Sequence, residues 1–350
     1  MLRLCVDSRD TLRDPRGIGR YVREVLRRFA ASDEIDLQLL TGAVLPLSLR
    51  KSYRTALGSS RFTLKRSSAQ RCDVSWHPWN GIFFQKTAPA VATVHDVVPF
   101  AYPDPDGRKR SSQQAPFLRA ARASALLTDS KFSAGEIAKH LGVPAFRITV
   151  VSLGVDRAFT PGAASPPPSL RGSRYVLALA TAEPHKNLAT LLDAFGRAEL
   201  PSDVVLAVRG GLRESSRRVV ALDALDEEAL RGLYRGALFV AIPSLYEGFG
   251  LPALEAMACG APVLASRAGA LPEVCGEAAA YVDDPTSVDA WARAIAELVR
   301  SERRRDELRA RGVLRATSFT WDATAAATLS VLRACAQEGA ERAIASAARS

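Results

Sequence analysis

The sequence predicts an α/β protein built from two doubly wound, Rossmann-like domains with parallel sheets. Strand-like apolar runs alternate with amphipathic helical stretches along most of the 350 residues. The runs at residues 175–180 and 238–242 are continuously apolar, which is typical of parallel strands covered by helices on both faces. A chain of this length suits two domains of ordinary size.

The first half begins with a predicted strand at residues 2–7 and a helix at residues 19–30, which carries apolar side chains at helical spacing on one face. Ser133 and Glu136 have the spacing of a capping box, so we expect the next helix to open there. The other strands predicted in this half are residues 90–95, 125–128 and 148–151.

A proline-rich stretch at residues 161–169 (PGAASPPPS) supports neither a helix nor a central strand and predicts a linker. The alternation then restarts. We therefore expect an N-terminal domain over residues 1–165, a C-terminal domain over 166–330, and a helix over 331–350 that packs back on the N-terminal domain. The second half has predicted strands at 175–180, 204–208, 238–242 and 262–265 and helices at 187–195 and 252–259.

The net charge of +10 lies entirely in the first half. Residues 1–165 hold 25 Lys and Arg against 14 Asp and Glu, whereas the remainder holds 22 against 23. Such a basic half indicates an anionic partner, namely a phosphorylated substrate or an acidic membrane surface, or else an ordinary solvated surface. Nucleic acid is disfavoured, because no recognised binding motif accompanies the charge.

The composition, 47% apolar and 24% charged, is that of a soluble globular protein. The apolar runs are far shorter than the roughly 20 residues that span a bilayer. The five cysteines are scattered and form no metal-ligand pattern, which fits a reducing compartment. We expect a cytoplasmic protein, in peripheral contact with the inner face of the cell membrane through its basic half.

Residues 243–260 (PSLYEGFGLPALEAMACG) place a glycine-bracketed turn directly before a helix. The first amides of a helix lack partners and bind phosphate, and Gly248 and Gly250 allow a ligand to approach closely. Glu255, one turn into the helix, can accept two hydrogen bonds from a ribose diol, and Glu247 lies in the preceding loop. Alternatively, Glu255 offsets the helix dipole and Glu247 is an ordinary loop charge.

With three further motifs, this segment resembles the signature of family-4 retaining glycosyltransferases of the group-1 type. The likeness covers nearly all of the chain and is weakest at residues 41–90 and 212–224. It implies the GT-B fold, in which two Rossmann-like domains face each other across a cleft. The further motifs are the glycine loop 17–21 (GIGRY), the histidine strand end 93–96 (TVHD) and the phosphate-binding segment 183–187 (EPHKN), with 271–274 (LPEV) similar to the segment behind the donor site.

The resemblance implies a role for each matching residue. His95 would lie beside the anomeric carbon and steady the sugar or the developing charge, Glu247 would contact the donor sugar, and Glu255 would hold the ribose. No cofactor and no metal ion is expected, and the Asp-x-Asp spacing at residues 104–106 falls in a proline turn. The remaining donor-binding residues would be Gly17, Gly19, Lys186, Gly248, Phe249, Gly250 and Leu251.

Two positions depart from the family pattern. Thr181 and His185 stand where the family has arginines that help to neutralise the donor diphosphate. Arg209, at the end of the next predicted strand, either supplies a replacement cation or is a plain strand-end charge. A charged contact contributes about 1.5–3 kcal/mol, so its loss would weaken donor affinity about 10- to 150-fold.

Residues 76–80 (WHPWN) place two aromatic side chains in the first domain. Trp76 and Trp79 either stack on an acceptor sugar or anchor the core. Asp96, directly after His95, is a further candidate for the acceptor site. His95 itself has an alternative role as an ordinary hydrogen-bonded side chain at a strand end.

The sequence therefore predicts transfer of a hexose, with retention, from a nucleotide diphosphate sugar to a hydroxyl of a glycan or lipid-linked acceptor. The E-P-x-K-N form is common among mannosyltransferases of polysaccharide assembly, which favours GDP-mannose as donor. The alternatives are a UDP-sugar-dependent glucosyl- or N-acetylglucosaminyltransferase, a sugar-nucleotide epimerase or hydrolase, and a non-catalytic scaffold with the GT-B fold.

Overall fold

The computed structural model describes residues 1–14, 17–41, 47–66, 72–83, 89–212, 215–216, 218–223 and 225–347. The chain divides into two compact units. The first unit comprises Met1–Gly154 and Trp321–Ser350, and the second unit comprises Val155–Thr320. The boundaries thus lie before residue 155 and after residue 320, where the sequence analysis placed them at 165 and 330.

Within its described residues, the first unit holds a parallel sheet with the strand order β3-β2-β1-β4-β5-β6-β7. The central strands β4 and β5 are buried along their whole length, and β1 is buried from its third residue onwards. β4 was not predicted, because polar Ser75 and His77 interrupt its four residues. The strands are β1 Leu2–Asp7, β2 Ile35–Leu40, β3 Thr63–Lys65, β4 Val74–His77, β5 Ala90–Thr93, β6 Ala125–Thr128 and β7 Ile148–Val150.

The helices of the first unit follow the strands in the expected alternation. The predicted capping box is wrong, because Ser130 is the N-cap of the fifth helix and its hydroxyl accepts from the Ser133 amide at 3.0 Å. Ser133 lies inside that helix, and its hydroxyl donates instead to the carbonyl of His95 at 2.9 Å. The helices are α1 Gly17–Ala31, α2 Leu47–Leu57, α3 Val98–Ala101, α4 Gly107–Ala120 and α5 Lys131–Leu141.

In its described residues, the second unit repeats this architecture with the strand order β10-β9-β8-β11-β12-β13, also parallel. Its core is formed by apolar side chains of the sheet together with Trp291 and Phe195 from the covering helices. The strands are β8 Arg174–Ala180, β9 Val204–Gly210, β10 Val219–Leu222, β11 Phe239–Ile242, β12 Val263–Ser266 and β13 Ala279–Val282.

The helices of the second unit lie between these strands, and a short 3-10 turn at Pro184–Lys186 precedes the first of them. The predicted bounds of both helices in this half differ from the observed ones by one or two residues, which is ordinary fraying at helix ends. The helices are α6 Leu188–Arg197, α7 Glu227–Gly236, α8 Leu251–Ala258, α9 Leu271–Cys275, α10 Val288–Arg300 and α11 Glu302–Ala316.

The final helix, α12 (Trp321–Ala347), returns to the first unit and contacts α1, β4, β5 and β6. Thr324 donates its hydroxyl to the Ser152 carbonyl at 2.8 Å, and Asp322 pairs with Arg28 of α1 at 2.6 Å. The predicted C-terminal helix therefore begins ten residues earlier than residue 331, and residues 348–350 lie outside the described residues.

The predicted fold class, two doubly wound Rossmann-like parallel sheets, is confirmed. In each unit every strand of the described sheet ends on the same edge, because all pairings are parallel. Ligands of doubly wound sheets bind at that carboxyl edge. The loops that follow the strands are therefore the part of each unit to inspect for functional residues.

Candidate active site

Three loops at the carboxyl edge of the second unit carry predicted donor-binding residues. β9, β8 and β11 are neighbours in the sheet. Lys186 follows β8, Arg209 is next to last in β9, and Glu247 follows β11. The sheet topology thus gathers at one edge residues that are far apart in the sequence.

Lys186 and Glu247 form an ion pair, with Nζ of the lysine 2.8 Å from Oε1 of the glutamate. The hydroxyl of Ser244 donates to the same oxygen at 2.8 Å. The lysine side chain is 25% exposed and the glutamate side chain 15% exposed, so the pair is shielded from much of the solvent and still within reach of a ligand. The structure therefore brings together two residues that the sequence assigned to the diphosphate and to the donor sugar.

The backbone that carries Lys186 is fixed by Asn187, the next residue. Asn187 adopts a left-handed conformation with φ 54°, and its Nδ2 donates to the carbonyls of Pro243 at 3.1 Å and Pro285 at 2.7 Å. Its Oδ1 accepts from the Thr190 hydroxyl at 2.6 Å. These bonds tie the lysine-bearing turn to the loop that follows β11.

The loop that follows β12 holds Glu247 from the other side. Gly269 has φ +59°, and a Cβ atom there would lie 2.6 Å from the backbone nitrogen of Glu247, so this position requires glycine. The amide of Ala270 donates to the Glu247 carbonyl at 2.9 Å. The Ser266 hydroxyl donates to the carbonyl of Ser244. Glu247 is thus held through both its side chain and its backbone.

The glycine turn at residues 248–251 leads directly into α8. Gly250 is the N-cap with φ 100°, and a Cβ atom there would lie 2.8 Å from Leu271 Cδ2. No side chain of the described residues caps this helix. A helix start of this kind favours a bound anion. The ring of Phe249 packs edge-on against Phe319, with centroids 5.8 Å apart, so its side chain belongs to the core.

Glu255 lies on α8 and is buried. The hydroxyl of Tyr234, on α7, donates to its Oε2 at 3.0 Å, and the tyrosine is itself fully buried. A buried carboxylate needs hydrogen-bond donors, and this tyrosine provides one. Tyr234 therefore fixes the orientation of the carboxylate that the sequence assigned to the ribose.

The two departures from the family pattern have different surroundings. His185 is buried and its carbonyl accepts from the Leu245 amide at 2.7 Å, whereas Thr181 is exposed. Arg209 is opposite Leu179 of β8, and its Nε is buried without a hydrogen-bond partner among the residues that the structure describes. Buried polar atoms are rarely left unpaired, so this guanidinium is suited to receive an anion.

In the first unit, His95 follows β5 and is buried. Its Nδ1 lies 2.7 Å from Oδ2 of Asp129, and its Nε2 lies 3.1 Å from the carbonyl oxygen of Pro78. Burial disfavours a charge on His95, but the charge and hydrogen bond of Asp129 outweigh it and raise the pKa of His95. Burial raises the pKa of Asp129 as well, so both directions keep a proton on the pair.

Asp96 is partly exposed next to this buried pair. Its Oδ1 accepts from the Val98 amide at 3.0 Å, and its Oδ2 accepts from Nδ2 of Asn80 at 3.4 Å. Asn80 has φ 57°, and its Oδ1 accepts from the His95 amide at 2.6 Å. The carboxylate is therefore held at the carboxyl edge of the sheet, where it can meet a polar ligand.

Both tryptophans considered for the acceptor site lie in the core. Trp76 is fully buried on β4 and donates from Nε1 to the Thr93 hydroxyl at 3.0 Å. Trp79 is 8% exposed and donates from Nε1 to the carbonyl of Asp7 at 2.8 Å. Stacking on a sugar requires an exposed ring face, so the prediction is corrected: both rings are core anchors.

Gly17 and Gly19 open α1 after β1. Gly17 is the exposed first residue of the helix, at the carboxyl edge of the sheet. A Cβ atom at Gly19 would lie 1.9 Å from the carbonyl oxygen of Asp14, so this glycine allows the chain to close on itself. Arg23 donates to the same carbonyl at 2.6 Å. Gly19 thus allows the start of α1, where Gly17 lies, to pack closely against the loop that precedes it.

Two further structural findings concern ligands and membranes. Within the described ranges, no cluster of three or more His, Cys, Asp or Glu side chains is arranged to hold a metal ion. Among the helices that the structure describes, none is long and apolar enough to cross a bilayer.

Residues that orient these sites were missed in the sequence, among them Tyr234, Ser244, Asn187 and Asp129. Asn187 carried a signal, because it closes the E-P-x-K-N segment and directly precedes α6. Ser244 stands three residues before Glu247, within reach for a local hydrogen bond. Tyr234 and Asp129 gave no local signal, since their partners are 21 and 34 residues away.

The two doubly wound units have the fold class of the GT-B proteins. HepE of Anabaena, solved in complex with UDP-glucose, superposes with a TM-score of 0.70 at 17% identity over 95% of this chain and 100% of that chain. At this identity the likeness concerns the fold alone.

Sequence comparison identifies the family. The model of Glycosyltransferase Family 4 matches residues 15–159, and that of Glycosyl transferases group 1 matches residues 166–315. O-antigen chain mannosyltransferase B of Escherichia coli is 33% identical over 356 residues, which cover 87% of this chain and 93% of the relative. MMP alpha-(1->4)-mannosyltransferase of Mycolicibacterium hassiacum is 36% identical over 242 residues, which cover 64% of this chain and 55% of that relative. The chain belongs to the group-1, family-4 glycosyltransferases and is a hexosyltransferase, as its motifs predicted.

Proposed function

We propose that the protein transfers mannose from GDP-mannose, with retention of the anomeric configuration, to a hydroxyl of a glycan or lipid-linked acceptor. Mannosyltransferases among the relatives, one of them for an O-antigen chain, support this choice of sugar. The observation that carries the donor site is the Lys186–Glu247 ion pair beside the glycine turn at the carboxyl edge of the second unit.

The donor diphosphate is bound by Lys186 and the amides of residues 248–251. Arg209 adds a second cation in place of the arginines that the family pattern has earlier in the chain. Its buried Nε, unpaired among the described residues, supports this role. A cation and an N-terminal helix end together neutralise a leaving diphosphate, so the proposed site works without a metal ion or other cofactor.

The donor sugar and ribose are bound by two carboxylates. Glu255 accepts from the ribose hydroxyls, with its orientation set by the hydrogen bond from Tyr234. Glu247 accepts from hydroxyls of the hexose. Lys186 and Glu247 are paired, so a diphosphate that binds the lysine leaves the carboxylate to the sugar.

In the proposed reaction the bond between the anomeric carbon and the leaving phosphate oxygen breaks, and the acceptor oxygen bonds to the same face of that carbon. The acceptor proton passes to the departing phosphate oxygen. Lys186 and the turn amides stabilise the negative charge that develops on the diphosphate. Neither Glu247 nor Glu255 acts as a nucleophile in this scheme.

We assign the acceptor to the carboxyl edge of the first unit. Asp96 is the partly exposed carboxylate there, held by Asn80 and by the Val98 amide. His95 supports this edge from within the unit, since its ring is buried and bonded to Asp129 and to the Pro78 carbonyl.

Peripheral contact with an anionic membrane is proposed for α4. Its first turn exposes Arg108, Lys109 and Arg110, and Leu118 further along is 51% exposed. Cations in the first turn oppose the helix dipole, so their presence suggests a use outside the helix. Charge reversal at the three basic residues should abolish binding to vesicles of anionic phospholipid, and unchanged binding would contradict this contact.

The donor assignment is tested by calorimetric titration of GDP, UDP, ADP and dTDP, with and without EDTA, into the wild type and Glu255→Ala. We expect GDP to bind without metal and the variant to lose about 10- to 150-fold in affinity, the value of a hydrogen bond to a charged group. Product analysis with GDP-mannose, with and without acceptor, then identifies transfer.

Each other outcome points to one alternative. Selective binding of UDP indicates a UDP-sugar-dependent transferase, and turnover of the donor without acceptor indicates an epimerase or hydrolase. Binding that requires metal contradicts the metal-free site. If none of the four nucleotides binds at millimolar concentration, the altered diphosphate motif has disabled the donor site, and a non-catalytic scaffold becomes the favoured alternative.

A further inference from the structure

We infer that Asp129 is a positioning residue that keeps His95 protonated on both ring nitrogens, so that the ring clamps the loop at residues 78–80. This loop carries Asn80, which holds the acceptor-facing Asp96. The functional part of the inference rests on the proposed function. The protonation state itself does not.

The hydrogen-bond geometry sets the number of protons. A carbonyl oxygen only accepts, so Nε2 of His95, 3.1 Å from the Pro78 oxygen, must carry a hydrogen. Nδ1 lies 2.7 Å from Oδ2 of Asp129, a distance that needs a second hydrogen between the two atoms. We assign this hydrogen to Nδ1, because imidazole is the more basic group and both Asp129 and Asp96 favour a positive charge on the ring, which is then an imidazolium.

The surroundings of the ring keep that proton in place. Asp129, after β6, and Asp96, on the same segment as His95, both favour a positive charge on the ring. Tyr21 of α1 packs edge-on against it with centroids 4.9 Å apart, and burial raises the pKa of that phenol. From α5, the Ser133 hydroxyl bonds the His95 carbonyl. The ring is thus a buried cation beside one close carboxylate.

The clamp fixes groups at the carboxyl edge of the sheet. The ring binds the Pro78 carbonyl, and the His95 amide donates to Asn80, whose side chain in turn donates to Asp96. On the far side of the loop, Trp79 is tied to the carbonyl of Asp7. His95 and Trp79 together hold the loop in its left-handed turn at Asn80.

Loss of the proton would open the clamp. A neutral His95 beside an ionised Asp129 must place its remaining hydrogen on Nδ1. The lone pair of Nε2 would then face the Pro78 carbonyl, and two acceptors repel. Activity that depends on the loop should therefore fall at alkaline pH, as the pair releases one proton above the ordinary range of histidine.

The variant Asp129→Asn tests the charge of the His95 ring separately from the hydrogen bond between that ring and the Pro78 carbonyl. The amide can donate to Nδ1 of a neutral ring whose single hydrogen is on Nε2, so the Pro78 bond survives without an imidazolium. We expect this variant to lose the alkaline fall in activity. We also expect kcat/KM at neutral pH to drop about 2- to 12-fold, because a neutral hydrogen bond replaces a charged one.

The protonation state is measured by two-dimensional ¹H–¹⁵N NMR of the histidine rings in the substrate-free full chain. The sequence has four histidines, so few ring signals need to be assigned. His140→Gln removes the signals of one histidine, and Asp129→Asn changes those of His95, whose ring nitrogens both make hydrogen bonds. We expect both ring nitrogens of His95 to be protonated at pH 7 in the wild type, and Nε2 alone in Asp129→Asn. A wild-type ring with one protonated nitrogen overturns the inference.

A matched control is the partly buried pair of His140 and Glu136, 3.3 Å apart on α5. Glu136→Gln removes the carboxylate beside a histidine in the same unit and should leave the His95 signals and the pH profile unchanged. If Asp129→Asn keeps the wild-type alkaline fall, Asp129 does not act through the ring charge and the functional part is refuted. The NMR result uses no substrate, so it stands or falls independently of nucleotide binding to the second unit.

Discussion

Replacing Tyr234 by phenylalanine removes one hydroxyl from the second unit, and we expect the change to weaken nucleotide binding by way of Glu255. The hydroxyl donates to Glu255 Oε2 at 3.0 Å, and both side chains are buried. The phenylalanine ring would keep the packing of Tyr234 against Phe159, whose centroid is 6.2 Å away. The substitution therefore removes the hydrogen bond to Glu255 and keeps this ring contact.

We expect Tyr234→Phe to change both the stability of the protein and its affinity for nucleotide. Loss of a donor to a buried carboxylate should lower the free energy of unfolding by about 1–3 kcal/mol. Without Tyr234, the Glu255 side chain loses one of the groups that orient it, and ordering that side chain on the ribose costs about 0.5–1.5 kcal/mol and weakens nucleotide affinity about 2- to 12-fold. Glu255→Ala, which removes the proposed ribose contact, should cost about 10- to 150-fold.

Calorimetric titration of the preferred nucleotide into Tyr234→Phe, Glu255→Ala and the double variant measures the coupling. Tyr175→Phe is the matched control, because Tyr175 is a buried tyrosine of the same unit whose hydroxyl donates to the Leu233 carbonyl at 2.7 Å. That variant should lose stability and keep nucleotide affinity. If Tyr234→Phe weakens binding equally in the presence and absence of Glu255, the tyrosine does not act through the glutamate and the reasoning is refuted.

Four further outcomes can be measured by titration and by denaturant unfolding. Lys186→Gln should weaken binding of a nucleoside diphosphate about 10- to 150-fold and leave the free nucleoside unaffected, in paired titrations. Arg209→Gln should weaken nucleoside diphosphate binding about tenfold without lowering the melting temperature, because its buried Nε makes no hydrogen bond within the described residues; unchanged affinity would make it a plain strand-end charge. Gly269→Ala should destabilise the protein by about 1–3 kcal/mol in denaturant unfolding, since φ is +59° and the new Cβ would meet the Glu247 backbone. Gly135→Ala, inside α5, where a Cβ meets no described atom within 4 Å, should instead stabilise it by about 0.5–1 kcal/mol.

Eight of the thirteen strands in the described residues were predicted, because burial on both faces makes many strands of a parallel sheet continuously apolar. The strands β2, β3, β4, β10 and β13 were missed. The boundary between the units was harder to locate. Val155 forms a bridge with Thr320, so the second unit begins before the proline-rich stretch and ends where α12 starts. That boundary depends on a contact between residues far apart in the sequence, which local composition does not reveal.

Local sequence patterns also gave wrong or undecided predictions where one pattern is compatible with two structures. Ser133 has a glutamate three residues later, but Ser130 caps the helix because the chain turns three residues earlier. Trp76 and Trp79 have the composition of a stacking site, yet Trp76 lies within β4 and Trp79 just after it, with their indole nitrogens bonded to Thr93 and Asp7. Only the tertiary packing shows whether such a tryptophan is buried in the core or exposes a ring face on which a sugar can stack.

The residues of the candidate site divide by how they are brought together. Lys186 and Glu247 are 61 positions apart, yet each follows a strand, and β8 and β11 are neighbours whose ends share one edge. Parallel topology therefore gathers such residues, and a sequence that marks the strands already indicates that they meet. Tyr234 lies within a helix, so its contact with Glu255 depends on how α7 is rotated against α8. That rotation is set by side-chain packing, and so the residues that orient the site, in contrast to those that bind the ligand, emerge only from the structure.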